Sequence, residues 1–187
     1  MAAPPGPERA ADPGDGLDSV TAVALRAASG DAAAATAFVQ ATQAQVWRFV
    51  AGLVSPAQAD DLTQETYARA FGSLHRFSAR ASAQTWLLAI ARRVCADAIR
   101  AARRERELRH EQATRPVLEA VPHRPEEPAA VRAALTGLEP RRREAFVLTQ
   151  LLGLSYEQAA RICDCPVGTV RSRVARARAD LVAAYRA

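Results

Sequence analysis

Apolar residues recur at helical spacing almost without interruption from Leu17 to Arg109, and again from Ala129 towards the C-terminus. No stretch alternates with the two-residue period of a half-buried strand. The pattern predicts eight helices, four on each side of a break. The first covers 19–28 and stops at Ser29-Gly30; the second covers 32–53, carries Phe38, Val46, Trp47 and Val50, and stops at Ser55-Pro56. Pro56 is preset for a first helical turn and opens a third helix reaching about residue 71. Asp60 and Asp61 are expected early enough in it to favour the positive end of its dipole. A polar loop over 75–82 leads to a long fourth helix over 83–104 that frays through 109.

Residues 113–128 break the period, because Pro116, Pro122, Pro125 and Pro128 leave little to bury and an extended linker is expected. Beyond it lie helices over 129–138, from Pro140 to near Leu152-Gly153, over 156–162, and from Pro166 onwards. Met1 to Gly16 is rich in Ala, Pro, Gly and Asp without an apolar period, which predicts a disordered tail. The expected organisation is all-α. A tail (1–16) precedes a first small helical domain (17–112), a flexible linker (113–128) and a second small helical domain (129–187).

Composition supports this. Of 187 residues, 44 are alanine and only 10 are Phe, Trp or Tyr, an inventory for packed helices rather than aromatic, β-branched sheets. The net charge of +5 points to a polyanionic partner. The basic excess falls in two blocks, +3 over 17–112 and +5 over 128–187, on either side of a slightly acidic 113–127. No run approaches the roughly 18 apolar residues of a membrane span, and the start lacks a signal pattern, so a cytoplasmic protein is expected. Cys95, Cys163 and Cys165 are an odd count that does not suit a disulfide framework. Cys163-Asp164-Cys165 offers two metal ligands without a pair to complete a tetrahedral set. Ordinary small residues in a turn are expected there, with neither metal nor cofactor.

The chemistry concentrates near the C-terminus. Ser155-Tyr156-Glu157-Gln158 has the spacing of a capping box, and Pro166 suits the start of a following helix across a three-residue turn. On that last helix Val167, Val170, Val174, Ala177 and Leu181 share one arc and must pack inward. The other arc presents Thr169, Ser172, Ala175 and Arg176, flanked by Arg171, Arg173 and Arg178. Small residues permit close approach to a major groove, and arginine addresses guanine or phosphate. A solvated basic helix is the plainer alternative; the capped turn ahead of it favours DNA reading.

The run from Leu148-Thr149-Gln150-Leu151-Leu152-Gly153-Leu154-Ser155-Tyr156 through Cys165-Pro166-Val167-Gly168-Thr169-Val170-Arg171-Ser172-Arg173 to Ala177-Arg178 resembles region 4 of the extracytoplasmic-function sigma factors of the sigma-70 superfamily. The resemblance implies a domain that reads the minus-35 promoter element and docks on the flap of bacterial RNA polymerase. Thr169, Arg171, Ser172, Arg173, Ala175, Arg176 and Arg178 are its candidate DNA contacts.

A second block agrees. Asp60-Asp61-Leu62-Thr63-Gln64-Glu65-Thr66-Tyr67-Ala68-Arg69-Ala70-Phe71 resembles region 2.2, which in that family grips the clamp helices of the polymerase. On the wheel Leu62, Thr66, Tyr67, Ala70, Phe71 and Leu74 turn inward and Asp61, Gln64 and Glu65 outward. An acidic, amide-bearing face suits a basic protein and not DNA. The fourth helix is expected to place Trp86, Leu87, Ile90, Ala91, Val94 and Ile99 towards the core, and Arg92, Arg93, Arg100 and Arg103 opposite, as a track for a phosphate backbone. With the loop Phe77-Ser78-Ala79-Arg80 it resembles regions 2.3 and 2.4, which recognise the minus-10 element as melted non-template strand. Phe77, Ser78 and Arg80 therefore join the candidates. Phe77 either stacks on an extruded base or faces inward.

The expected partners are core polymerase and promoter DNA, with a separate anti-sigma protein as a candidate regulator. An enzyme is disfavoured, because His75, His110 and His123 have no nucleophile motif near them. A self-sufficient helix-turn-helix regulator would leave the acidic third helix and the second arginine track unexplained.

Overall fold

The computed structural model describes residues 18–112 and 129–186. The expected tail and linker lie outside the described residues. Eight α-helices and one π turn are present among them: α1 Ser19–Ala28, α2 Ala32–Leu53, α3 Pro56–Leu74, α4 Ala83–Gln112, α5 Ala129–Gly137, α6 Pro140–Phe146, the π turn Val147–Leu151, α7 Tyr156–Cys163 and α8 Val167–Arg186.

Local chemistry sets the starts. Asp18 accepts from the Thr21 amide at 2.7 Å and Asp31 from the Ala34 amide at 2.9 Å, each satisfying an otherwise unpaired first-turn N–H. Gly30 between the two helices has φ +97°, a conformation that disfavours any side chain. Asp60 and Asp61 lie beyond the first turn of α3, which contains no acidic residue, so the expected dipole contribution is not made. Asp60 instead accepts from Trp47 Nε1 at 2.8 Å and pins α2 to α3.

In the N-terminal half α1 packs on α2, and α3 and α4 pack on α2 and on each other. Phe38, Phe49, Val46, Val50, Leu87 and Val94 are fully buried. Each such side chain contributes about 1.5–3 kcal/mol relative to exposure. Buried Thr21 accepts from the Ala83 amide at 2.8 Å and so fastens α1 to the start of α4. Two positions expected inside are outside: Phe71 is 39% and Ile99 41% exposed. Phe71 sits at the edge of the buried arc, where Ala70 and Leu74 already fill the contact. Ile99 lines an open groove between α4, the end of α2 and the start of α6, where no side chain covers it fully.

The single helix expected from Pro140 to near Leu152 is an α-helix that widens into a π turn. The Leu152 amide donates to the Val147 carbonyl at 3.0 Å, five residues back. The wider turn lets the adjacent residues Val147 and Leu148 both be buried.

The two halves pack against each other. Helix α7 lies on α4, and α6 with the π turn lies on α2. Leu88, Ala91 and Cys95 of α4 belong to the same buried cluster as Ala159, Ile162 and Cys163 of α7. Arg143 of α6 donates to the carbonyl of Leu53 at the end of α2 at 3.3 Å, and also to those of Thr136 and Leu138. Its buried Nε has no partner, and burial pushes its guanidinium down from the usual arginine range. Gly52 makes the approach of α2 possible, since a Cβ there would stand 3.0 Å from both Val147 methyl carbons.

Candidate nucleic-acid and polymerase interface

The turn that aims the last helix is built as its sequence predicts. Ser155 Oγ accepts from the Gln158 amide at 3.2 Å, and Gln158 Oε1 accepts from the Ser155 amide at 2.9 Å. Helix α7 ends at Asp164, whose φ of +51° is left-handed and which Asp tolerates better than most residues. Across this turn α8 buries Val170, Val174 and Ala177, with Val167 and Leu181 half-buried.

The opposite side of α8 is open. Arg171, Ser172, Ala175, Arg176 and Arg178 are exposed, and Thr169 and Arg173 are half-buried at the edge. Ser172 Oγ donates to the Thr169 carbonyl at 2.9 Å, and the Arg171 guanidinium lies 5.8 Å from the Tyr156 ring centroid. Arg178 donates to Gln150 Oε1 at 2.6 Å. Arg173 is turned inward, with Nη1 3.5 Å from Cys165 Sγ.

On α3, Asp61, Gln64 and Glu65 are all exposed along one face. Glu65 pairs with Arg69 at 2.7 Å, and Arg69 reaches Asp97 of α4 at 2.8 Å. Arg69 holds the Asp97 carboxyl below the usual range, and both carboxylates hold the Arg69 guanidinium above it. One of the three residues of the predicted polymerase face, Glu65, is thus tied to α4 through Arg69.

In the loop between α3 and α4, Phe77 is buried against Trp86 with ring centroids 5.1 Å apart, so of the two alternatives it faces inward. Ala79 has φ +54°, uncommon for a residue with a Cβ, and the bend leaves Ser78 and Arg80 exposed. On α4, Arg93, Arg100 and Arg103 face solvent; Arg100 pairs with Asp97, and Arg103 with Glu107 at 2.7 Å.

Arg92 behaves differently from the rest of the track. It is half-buried where α4 meets the C-terminal half, and its Nε donates to Glu144 Oε1 of α6. The Glu144 residue is 7% exposed; burial pushes its carboxyl up, opposed by Arg92, by the charge of Arg173 and by a hydrogen bond from Cys163. Cys95 and Cys163 are buried on the two sides of this seam, and burial, reinforced by Glu144, pushes both thiols up to about 12. Neither Glu144 nor the gathering of thiols was anticipated. One signal was available, because Glu144 shares a helical face with Val147 and Leu148, three and four residues on. Among the described residues no group of three or more His, Cys, Asp or Glu side chains is placed to hold a metal ion.

Comparison with known proteins places both blocks. The family described as Sigma-70 region 2 matches residues 38–105, and Sigma-70, region 4 matches residues 129–181. The ECF RNA polymerase sigma factor SigC of Mycobacterium tuberculosis (strain CDC 1551 / Oshkosh) is 52% identical over 168 residues, covering 89% of this chain and 91% of that protein. EcfG of Rhodopseudomonas palustris (strain TIE-1) is 39% identical over 131 residues, 67% of this chain and 70% of that one. Among solved structures, CnrH in complex with the cytosolic domain of CnrY superposes with a TM-score of 0.67 at 29% identity, covering 90% of this chain and 97% of that one. The sigma factor RpoE in complex with the anti-sigma factor NepR, from Bartonella quintana, superposes with a TM-score of 0.64 at 30% identity, covering 76% and 91%. With both sigma regions matched and a relative at this identity spanning nearly its whole length, the chain belongs to the extracytoplasmic-function sigma factors of the sigma-70 family.

Proposed function

We propose that this sigma factor divides its work among three faces. Asp61, Gln64 and Glu65 of α3 dock on core polymerase. Ser78 and Arg80 of the loop, with Arg92, Arg93, Arg100 and Arg103 of α4, hold the melted minus-10 strand. Arg171, Ser172, Ala175 and Arg176 of α8 face the bases of the minus-35 element, while Thr169, Arg173 and Arg178 hold its backbone. Phe77 supports the minus-10 loop from beneath through its contact with Trp86. Region 2 then spans 17–112 and region 4 spans 129–187.

The observation that carries this reading is the exposed row on α8, with three arginines and two small residues projecting from a helix fixed by a capped turn. Arginine at a groove supplies bidentate contacts, and small neighbours let the helix seat deeply. The acidic face on α3 is of the wrong sign for DNA and of the right sign for a basic protein surface. The factor acts without catalysing a reaction, as a cytoplasmic subunit of the polymerase; no described helix is long and apolar enough to cross a membrane. Two similar structures contain an anti-sigma protein or the cytosolic domain of a second protein, which supports restraint by a separate partner here too.

Run-off transcription with core polymerase on genomic fragments tests the whole reading. Wild-type protein should yield discrete start sites, and Asp61→Arg with Glu65→Arg should abolish polymerase pull-down while helix content is unchanged. Normal pull-down by the folded double variant would refute the α3 assignment. Binding of duplex operator by the isolated chain, without polymerase, would favour a stand-alone regulator.

A further inference from the structure

Of the four arginines between positions 171 and 178 of α8, three are held by a neighbouring segment, and Arg176 alone has no hydrogen-bond or ring partner among the described residues. Arg171 and Arg178 lie about two turns apart on one edge of the helix, with the small Ala175 between them. Both are held from the same short stretch of chain. Gln150 of the π turn meets Arg178, and Tyr156 at the start of α7 meets Arg171.

Each support is itself fixed. Thr149 Oγ1 donates to the Ala145 carbonyl at 2.8 Å and accepts from Gln150 Nε2 at 2.9 Å, which leaves Gln150 Oε1 to accept from Arg178 at 2.6 Å. With one end of the amide donating and the other accepting, its orientation is decided. The π turn that carries it is a helical irregularity frequent at functional sites. The Tyr156 ring is half-buried against the core cluster with the Arg171 guanidinium over it, and Glu157 adds a carboxylate within electrostatic reach of Arg171. A guanidinium carries several N–H donors in a rigid fork, so one bond to Gln150 leaves the rest for a phosphate. A free arginine loses side-chain freedom when it binds; a supported one has lost it already.

We propose that Gln150 and Tyr156 are positioning residues for minus-35 recognition: Gln150 holds Arg178 ready for the DNA backbone, and Tyr156 holds Arg171 ready for a base. The proposal rests on the reading of α8 as the minus-35 helix. In this role neither residue touches DNA. Because the two arginines have different targets, their supports fail differently. Loss of Gln150 weakens every promoter alike, and loss of Tyr156 weakens only those carrying the base pair that Arg171 reads.

The test uses holoenzyme reconstituted from core polymerase and the full chain, with promoter affinity measured by competition across a panel of minus-35 variants. Gln150→Met keeps the length of the side chain and removes both of its hydrogen bonds; affinity for every promoter should fall about three- to tenfold, the cost of ordering one arginine on binding. Tyr156→Leu removes the π face, and the native element should lose about two- to fivefold while promoters changed at the pair read by Arg171 lose nothing. Tyr156→Phe keeps the ring and should match wild type. Where Tyr156→Leu loses helix content by circular dichroism, Tyr156→Met fills the same space and carries that arm. Arg178→Ala and Arg171→Ala provide the decisive backgrounds: adding Gln150→Met to the first, or Tyr156→Leu to the second, should cost nothing more.

A merely structural role would cost as much in those backgrounds as in the wild type, and that result overturns the proposal. So does unchanged affinity in Gln150→Met and Tyr156→Leu, or a loss for Tyr156→Leu that is equal on every promoter. If Arg171→Ala and Arg178→Ala themselves leave affinity unchanged, the reading of α8 falls and the proposal with it; if they lose affinity and the supporting variants do not, only the positioning falls.

Discussion

Three thiols lie in unequal surroundings within one small region of the fold. Cys95 and Cys163 are buried beside Glu144 and pushed up to about 12, whereas Cys165 is half-buried against the Arg173 guanidinium. Only the thiolate attacks a disulfide reagent, so the first two are inert near neutral pH for reasons of both access and charge. The sign follows from the raised values: whatever these two thiols contribute to stability is fully present below the ordinary thiol range and is lost progressively from there until pH passes about 12. Titration with a chromogenic disulfide at pH 8 should therefore show one fast thiol, removed by Cys165→Ser, and two that react at the rate of opening. Three equally fast phases would mean that Cys95 and Cys163 are not held in a closed seam.

Helix α7 depends on its N-terminal cap because it is only 8 residues long, too short to persist on propensity. Ser155→Ala deletes one half of the reciprocal cap and leaves the Gln158 amide unpaired, at a cost of about 1 kcal/mol. A lower urea midpoint with an unchanged slope is the expected result; no change in midpoint would show that Gln158 or solvent replaces the cap without loss. Helix α8 separates two kinds of arginine by exposure. Arg176 is open at the centre of the outer face, and its replacement by Ala should cost about 1–3 kcal/mol on the native minus-35 element and relax preference at one base pair. Arg173 lies at the edge, and its replacement should weaken all promoters alike and reduce the salt slope. A panel of promoter variants decides between them, since a common factor for Arg176→Ala on every promoter would assign it to phosphate.

The whole molecule turns on how closely α2 approaches the π turn. A Cβ at Gly52 would already press on both methyl carbons of Val147, and a larger side chain has no space while the halves are packed. Within α2 itself the same change is favourable by up to about 1 kcal/mol, because glycine is a poor helix former. Gly52→Leu should thus leave helix content intact and part the two halves, seen as an increased radius of gyration together with faster modification of Cys95 and Cys163. A compact Gly52→Leu chain would show that Val147 and its neighbours yield without separation.

Much of this protein is determined locally and was legible in its sequence. Alanine-rich helical periodicity, Pro and Gly at the breaks and the Ser155–Gln158 box predict the elements, because each depends on residues at most a few positions apart. The inward arc of α8 and the outward Asp61, Gln64 and Glu65 follow from the same short-range geometry. Tertiary structure decided the rest. A wheel divides a helix into a core side and a solvent side, yet α4 packs on α2 and α3 of its own half and on α7 of the other, and Leu87, Leu88, Ala91, Val94 and Cys95 are all buried. Arg92 lies among these positions, so a position that periodicity assigns to solvent is half-buried and paired with Glu144, 52 residues away. Periodicity counts neighbours along one helix, whereas burial and ion pairing depend on which surfaces meet, so the spacing around Glu144 can mark it as inward-facing but cannot name Arg92 as its partner.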